Sequence, residues 1–153
     1  VSGTVGAAFE ASAHGIPAIA AAITAETSEW RTFGAVDWTA ARHFTRLLAR
    51  QVLADGMPAG VSVLNLNVPR SATTRTELRK TMQGRQPYYA RRRPDPPRSL
   101  DQPYQFAVDV VIDPAGLEPG TDIHAIVRDQ VASVTPLTWQ QTVATDWTPA
   151  PDG

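Results

Sequence analysis

The chain has 153 residues, 14 basic side chains against 15 acidic ones, a formal net charge of −1 and no cysteine. That length suits one domain able to bury a core, and the near-neutral balance gives no electrostatic case for nucleic acid or an anionic membrane as partner. The missing cysteines exclude disulfides, thiolate metal sites and thiol nucleophiles, no apolar run is long enough for a transmembrane helix, and the first residues lack the basic n-region of a signal peptide.

Ser2, Gly3 and Thr4 place hydroxyls and a flexible backbone ahead of Val5, Gly6, Ala7, Ala8 and Phe9. The small residues predict a helix that packs closely, capped by Ser or Thr. The same free N–H groups at the positive end of a helix dipole can also hold a phosphate, and both readings stay open here. Gly15 suits the position just past the helix and Pro17 cannot continue it. The run "IPAIAAAI" from Ile16 to Ile23 is consistent with a buried strand of a parallel sheet. Residues 24 to 36 read as a loop.

Asp37 is the expected N-cap of a second helix. On it Trp38, Ala41, Phe44 (or Thr45), Leu48 and Val52 share one stripe, with Leu47 beside them and Arg42, Arg46 and Arg50 turned away. Gly56-Met57-Pro58 ends it, and His43, among the arginines, reads as a surface residue. From 61 to 69, "VSVLNLNVP" alternates Val61, Val63, Asn65 and Asn67 with Ser62, Leu64, Leu66 and Val68, a strand closed by proline. The rhythm of helix, strand, helix, strand argues an α/β fold with a parallel sheet and right-handed crossovers. Asn65 and Asn67 lie on one face and need hydrogen-bond partners if that face is buried.

Residues 70 to 104 are rich in arginine and proline, too polar for core and too broken for a helix. The "RRR" at 91 to 93 reads as a solvated edge or loop rather than a phosphate or nucleic-acid contact. "KTMQGRQPYYARR" and "YQFAVDVVIDP" could pair as a long hairpin or arm, the second alternating Phe106, Val108, Val110 and Ile112 with Ala107, Asp109, Val111 and Asp113. An extended arm needs somewhere to pack, and a partner subunit is one answer. Thr121 or Asp122 should cap a short helix, followed by a strand, "VASVTPLTW", broken by Pro136. Asp122 and His124, two apart, point to different faces of that helix and make no metal pair. The Pro-rich end is expected to fray. No HExxH, Walker loop, GxSxG or dense carboxylate cluster occurs.

Taken together, "VSGTVGAAFEASAHGIPAIA", "VLNLNVP", "GRQPYY" and "GTDIHAIVRDQVASVTPL" stand in the order and spacing of the C-terminal two thirds of the SurE family, the survival-protein nucleotidases. The chain resembles that family over about residues 1 to 140. It departs at Ala11, where the family has Gly, at Gln130-Val131, where it has Gly-Tyr, and at Ala132, where Val is usual. The segment after 140 lacks the family's helical ending.

The resemblance implies a Rossmann-like α/β core and a metal-dependent phosphomonoesterase (5′-nucleotidase or acid-phosphatase type) that hydrolyses nucleoside monophosphates. Its magnesium or manganese would neutralise phosphoryl oxygens and activate water for in-line attack. Ser2, Gly3 and Thr4 match the family's phosphate loop. The family's metal ligands, an Asp-Asp pair, a Ser and an Asn, all precede that loop, so they are expected upstream of Val1, and this chain alone is expected to be an inactive portion of the enzyme. The resulting division is 1–70 as the C-terminal part of the core, 71–115 as an oligomerisation arm exchanged in a homodimer or homotetramer, 116–140 as a returning helix and strand, and 141–153 as tail. A cytoplasmic setting, no membrane and no nucleic-acid polymer are expected. The other reading is a non-catalytic binding or oligomerisation module built on the same fold.

Overall fold

The computed structural model describes residues 2–24, 36–86, 89–91, 101, 108–142 and 144, with the side chains of 89–91 and 108–110 outside the description. The opening helix α1 spans Gly3–Ala13, and Ser2, in an extended conformation, caps it by accepting from the Val5 N–H through its Oγ. Gly15, at φ +74, turns the chain back as expected, and strand β1 follows over Ala18–Ile23. Helix α2 spans Thr39–Asp55 and stops at Gly56, φ +80. Strand β2 is Val63–Val68.

These pieces form one side of a mixed four-stranded sheet in the order β1, β2, β6, β3, where β3 is Leu78–Lys80 and β6 is Ala132–Leu137. The pairs β1–β2 and β3–β6 are parallel, whereas β2 and β6 run antiparallel. The sheet is therefore α/β but mixed, not wholly parallel.

The alternation in β2 sorts the core. Leu64, Leu66 and Val68 meet Ala40, Ala41, Phe44, Leu48 and Val52 of α2. Val63, on the other face, meets Ala8 of α1 with Ala18 and Ala20 of β1. Each fully buried aliphatic side chain here contributes about 1.5–3 kcal/mol. Trp139, just past β6, pins α1 from outside, its ring 4.7 Å from that of Phe9 and its Nε1 donating to Ser12 Oγ.

Three sequence expectations change. The cap position of α2 is Trp38, which makes no side-chain cap bond, while Asp37 accepts from the Thr39 N–H from one residue further back. Trp38 is also 51 % exposed rather than part of the buried stripe; it lines a shallow cavity of about 300 Å³ with Ala21 and Ala22 of β1. Pro136 does not break β6: it pairs with Leu64 on one side, while β3 reaches only as far as Val134 on the other. A proline is tolerated where no neighbouring strand needs its missing N–H. Strand β3 itself, three residues long, has too few positions to show a period.

The paired segments expected to form an arm do meet. Strands β4, Tyr89–Arg91, and β5, Val108–Val110, form a separate antiparallel ladder. Phe106, Ala107 and Arg92-Arg93 lie outside the described residues, as do residues 25–35 and most of the tail. The root of this segment is tied to helix α3, Asp122–Val127, which is capped by Thr121. The Met82 N–H donates to the Gly120 carbonyl, the Asp122 N–H to the Met82 carbonyl, and the Gly84 N–H to Asp122 Oδ1. Gly84 suits this close approach, since a Cβ would stand 3.0 Å from Ile123 Cδ1 and that side chain would have to give way.

Gln130 occupies φ +55, the left-handed region that costs a side-chain-bearing residue about 1 kcal/mol. This is the position where the resemblance led one to expect glycine. Its amide offsets that cost: Nε2 donates to the Ile126 and Val127 carbonyls at the end of α3, and Oε1 accepts from Ser71 Oγ.

Urea unfolding should separate two leucines. Leu66→Ala, at a site with no exposure, should cost about 3 kcal/mol, and Leu53→Ala, 87 % exposed, less than about 0.5 kcal/mol. At Gln130, replacement by alanine keeps the strain and removes the cap, so it should cost about 1–2 kcal/mol. Gln130→Gly loses the cap but relieves the strain and should be near neutral; equal losses for both would show that φ is not limiting.

Candidate active site

Helix α1 leads back into β1 through the tight turn at His14–Pro17, where the Ile16 N–H still donates to the Ala11 carbonyl. Helix and strand therefore run in opposite directions. Eleven helical residues advance about 16 Å and six strand residues about 20 Å, so α1 begins near the level at which β1 and β2 end. That end of the sheet gathers Ser2, Gly3 and Thr4 with the C-terminal residues of two parallel strands.

Ser2, Gly3 and Thr4 are all exposed. The first bonds of the helix leave from Val5, to Ser2 Oγ at 3.4 Å, and from Gly6, to the Ser2 carbonyl at 2.9 Å. The Gly3 and Thr4 N–H groups have no acceptor among the described residues, which is the ordinary state of a helix start. Gly3 and Gly6 are unusual in another way. A Cβ on either would meet nothing within 4 Å, so neither glycine makes room for a neighbour among the described residues, and Gly6, inside the helix, costs it about 1 kcal/mol relative to alanine.

The sheet face shared with α1 turns polar toward this end. Asn65 and Asn67, half-buried, stand opposite Thr135 and Ser133 across β6 and opposite Ala20 and Ala22 across β1. The buried Thr81 hydroxyl bonds both Ser133 Oγ and Thr135 Oγ1 at 2.8 Å. No buried side-chain polar atom among the described residues lacks a partner. Thr24 extends the β1–β2 pairing, donating to the Val68 carbonyl and accepting from the Arg70 N–H.

A second polar cluster escaped the sequence reading, because its members lie some fifty residues apart. Arg79 bridges Glu77 and Asp129, and His124 Nδ1 lies 3.3 Å from the same Asp129 oxygen. The signal was faint: a lone Glu-x-Arg at the start of a three-residue strand. Asp122 and His124 do not converge, since Asp122 accepts from Gly84 and Ile123 while His124 faces Asp129. Among the described residues no group of three or more His, Asp or Glu could hold a metal. Among those residues the acids at Glu77 and Asp129 are already paired with a guanidinium, so they do not fit a divalent ion.

The model of the family described as Survival protein SurE matches residues 1–90. The chain belongs to the SurE family. It is 39 % identical over 152 residues to the 5′-nucleotidase SurE of Thermococcus gammatolerans, covering 96 % of this chain and 54 % of that protein. Its identity to the 5′-nucleotidase SurE of Thermococcus kodakarensis is also 39 %, covering 90 % and 52 %. The crystal structure of SurE from Aquifex aeolicus superposes with a TM-score of 0.64 at 25 % identity, over 92 % of this chain and 53 % of that one. The chain thus spans about half the length of the relatives it matches.

The acid cluster makes a prediction about pH. Hydrogen bonds from Arg79 hold the carboxyls of Glu77 and Asp129 below their ordinary values of 4.5 and 3.8, with His124 adding to the effect on Asp129. A depressed carboxyl contributes stability above its unfolded pKa and loses it as pH falls through the folded one. The contribution should be intact above about pH 5 and fade below about pH 4. In Arg79→Met the midpoint temperature should fall less steeply between these values; an unchanged acid limb would show that the cluster does not govern it.

Proposed function

We propose that this SurE chain is the phosphate-holding portion of a metal-dependent nucleotidase that cleaves nucleoside monophosphates to nucleoside and phosphate. The start of α1 would hold the phosphoryl group through the Gly3 and Thr4 N–H groups and the hydroxyls of Ser2 and Thr4. A dianionic phosphate gains there from the partial positive charge of the helix end, about half an elementary charge. The metal, magnesium or manganese, would be held by residues outside these 153, and without them the chain would be inactive. The β4–β5 segment, within residues 71–115, would join subunits as a homodimer or homotetramer, in the cytoplasm. The firm tie of Met82 and Gly84 to α3 supports this, because an arm that carries load between subunits needs a rigid root.

The observation that carries the reading is the pair of exposed glycines in α1. Two glycines in a helix that ease no contact among the described residues make sense where something outside them must approach the backbone closely. The relatives named 5′-nucleotidase SurE suggest that this something is a phosphate ester.

The test joins the metal-ligand strand and loops of a relative ahead of Val1 and measures phosphate release from AMP with manganese. The chimera should turn over and the 153-residue chain should not. Gly3→Ala and Gly6→Ala should each stabilise the fold by up to about 1 kcal/mol yet lower kcat/KM of the chimera by tenfold or more. Ser2→Ala should lower kcat/KM by about tenfold through loss of one phosphate donor. A folded chimera that binds manganese but releases no phosphate would sink the nucleotidase reading and leave a binding or assembly module.

A further inference from the structure

The arginines that α2 turns away from the sheet take no part in anything described above. Arg42, Arg46 and Arg50 recur at single-turn spacing and, with His43, Leu47 and Thr74 from the loop after β2, line an open groove of about 640 Å³. Four helical residues advance about 6 Å, so the stripe runs for about 12 Å along the outer face. None of the three forms an ion pair among the described residues, in contrast to Arg79 and Arg85, which are bound to carboxylates. Asp37 is the acid that feels Arg42, and it is held first by the Thr39 N–H and hydroxyl.

Like charges at this spacing weaken a helix, so a stripe of them without carboxylate partners among the described residues points to an anion from outside. The groove also selects among anions. Leu47, exposed, places an apolar side chain between the cations, and the His43 ring, set edge-on to Phe44 at 5.2 Å, places one flat ring there. An inorganic phosphate chain has no use for that surface, and the carboxylates of an acidic peptide do not stack on a flat ring. A nucleic-acid strand does: its phosphates match guanidinium forks and its bases stack on flat side chains. Its phosphates, when unstacked, are spaced more widely than the roughly 3.4 Å rise of a stacked strand, nearer to one per turn of α2.

We propose that the outer groove of α2 binds a short single strand of nucleic acid, two or three nucleotides at a time. The net charge of the whole chain averages the stripe away, which is why composition offered no case for such a partner. The groove lies across the sheet from α1, and the proposal does not rest on the nucleotidase reading.

Fluorescence anisotropy with a labelled oligothymidylate of about eight nucleotides tests it, using binding rather than turnover as the readout. Binding should be saturable at low salt, and log K should fall with log salt at a slope of about −2, three phosphates at roughly 0.7 each. Each of Arg42→Gln, Arg46→Gln and Arg50→Gln should reduce that slope by about 0.7, and the triple variant, its circular dichroism unchanged, should bind at least about tenfold more weakly. The proposal is overturned by no saturable binding at low salt or by a triple variant that binds like the parent. It is overturned equally if inorganic polyphosphate or polyglutamate, charge for charge, displaces the strand as well as unlabelled oligonucleotide does.

Discussion

The four-stranded sheet and the two long helices are positioned by the burial of β2 on both of its faces. Leu64, Leu66 and Val68 close against α2, Val63 closes against α1, and both edges of the strand are paired, to β1 in parallel and to β6 antiparallel. A slip of one residue in register would carry three aliphatic side chains to the α1 face and drive Asn65 and Asn67 into the packing under α2. Unpaired amides there would each cost about 1–3 kcal/mol, so the register is fixed by chemistry as well as by hydrogen bonding. That register in turn sets where β1 and β2 end, and through the short turn at Gly15 it sets where α1 begins. The polar end of the sheet and the start of the helix are brought together by the same constraint.

The parts of the fold that could be read from the sequence are those in which period and punctuation agree. In α2 and β2 a repeat of 3.6 or 2 ends at Gly56 and Pro69, and in α1 and β1 a run of small or apolar residues is punctuated by Ser2 and Gly15; the structure follows within a residue or two. Reading failed where a local rule met a tertiary circumstance. Asp37 has the right chemistry for a cap, but the helix starts one residue later than that cap requires. Trp38 has the right phase for the core, yet at the first turn it finds the edge of β1 rather than the middle of the sheet. Pro136 would break a strand with neighbours on both sides at that point; β3 ends early enough to spare it. The Arg79 cluster and the hydroxyls of Thr81, Ser133 and Thr135 depend on segments about fifty residues apart, and nothing local in the chain announces such meetings.

The departures from the family pattern carry information of their own. Where a glycine was expected before β6, Gln130 takes up the left-handed backbone and uses its amide to close the end of α3 and reach Ser71. The chain thus keeps the geometry of the turn while changing how that geometry is maintained. A resemblance read residue by residue would have recorded a loss at this position, although the turn remains.

The glycines of α1 pose the opposite problem, since they are present without visible cause. Alanine fits both positions sterically and would favour the helix. Ala8 alone is fully buried on α1, with Val5, Phe9 and Ala11 packed around it, so the contacts that hold the helix come from its inner face and not from Gly3 or Gly6. Gly15, Gly56, Gly60 and Gly120 each adopt a positive φ, and Gly84 relieves a clash; Gly3 and Gly6 do neither. Among the described glycines, Gly3 and Gly6 therefore lack the local cause that the positive-φ positions have, and the fold alone does not call for glycine at either.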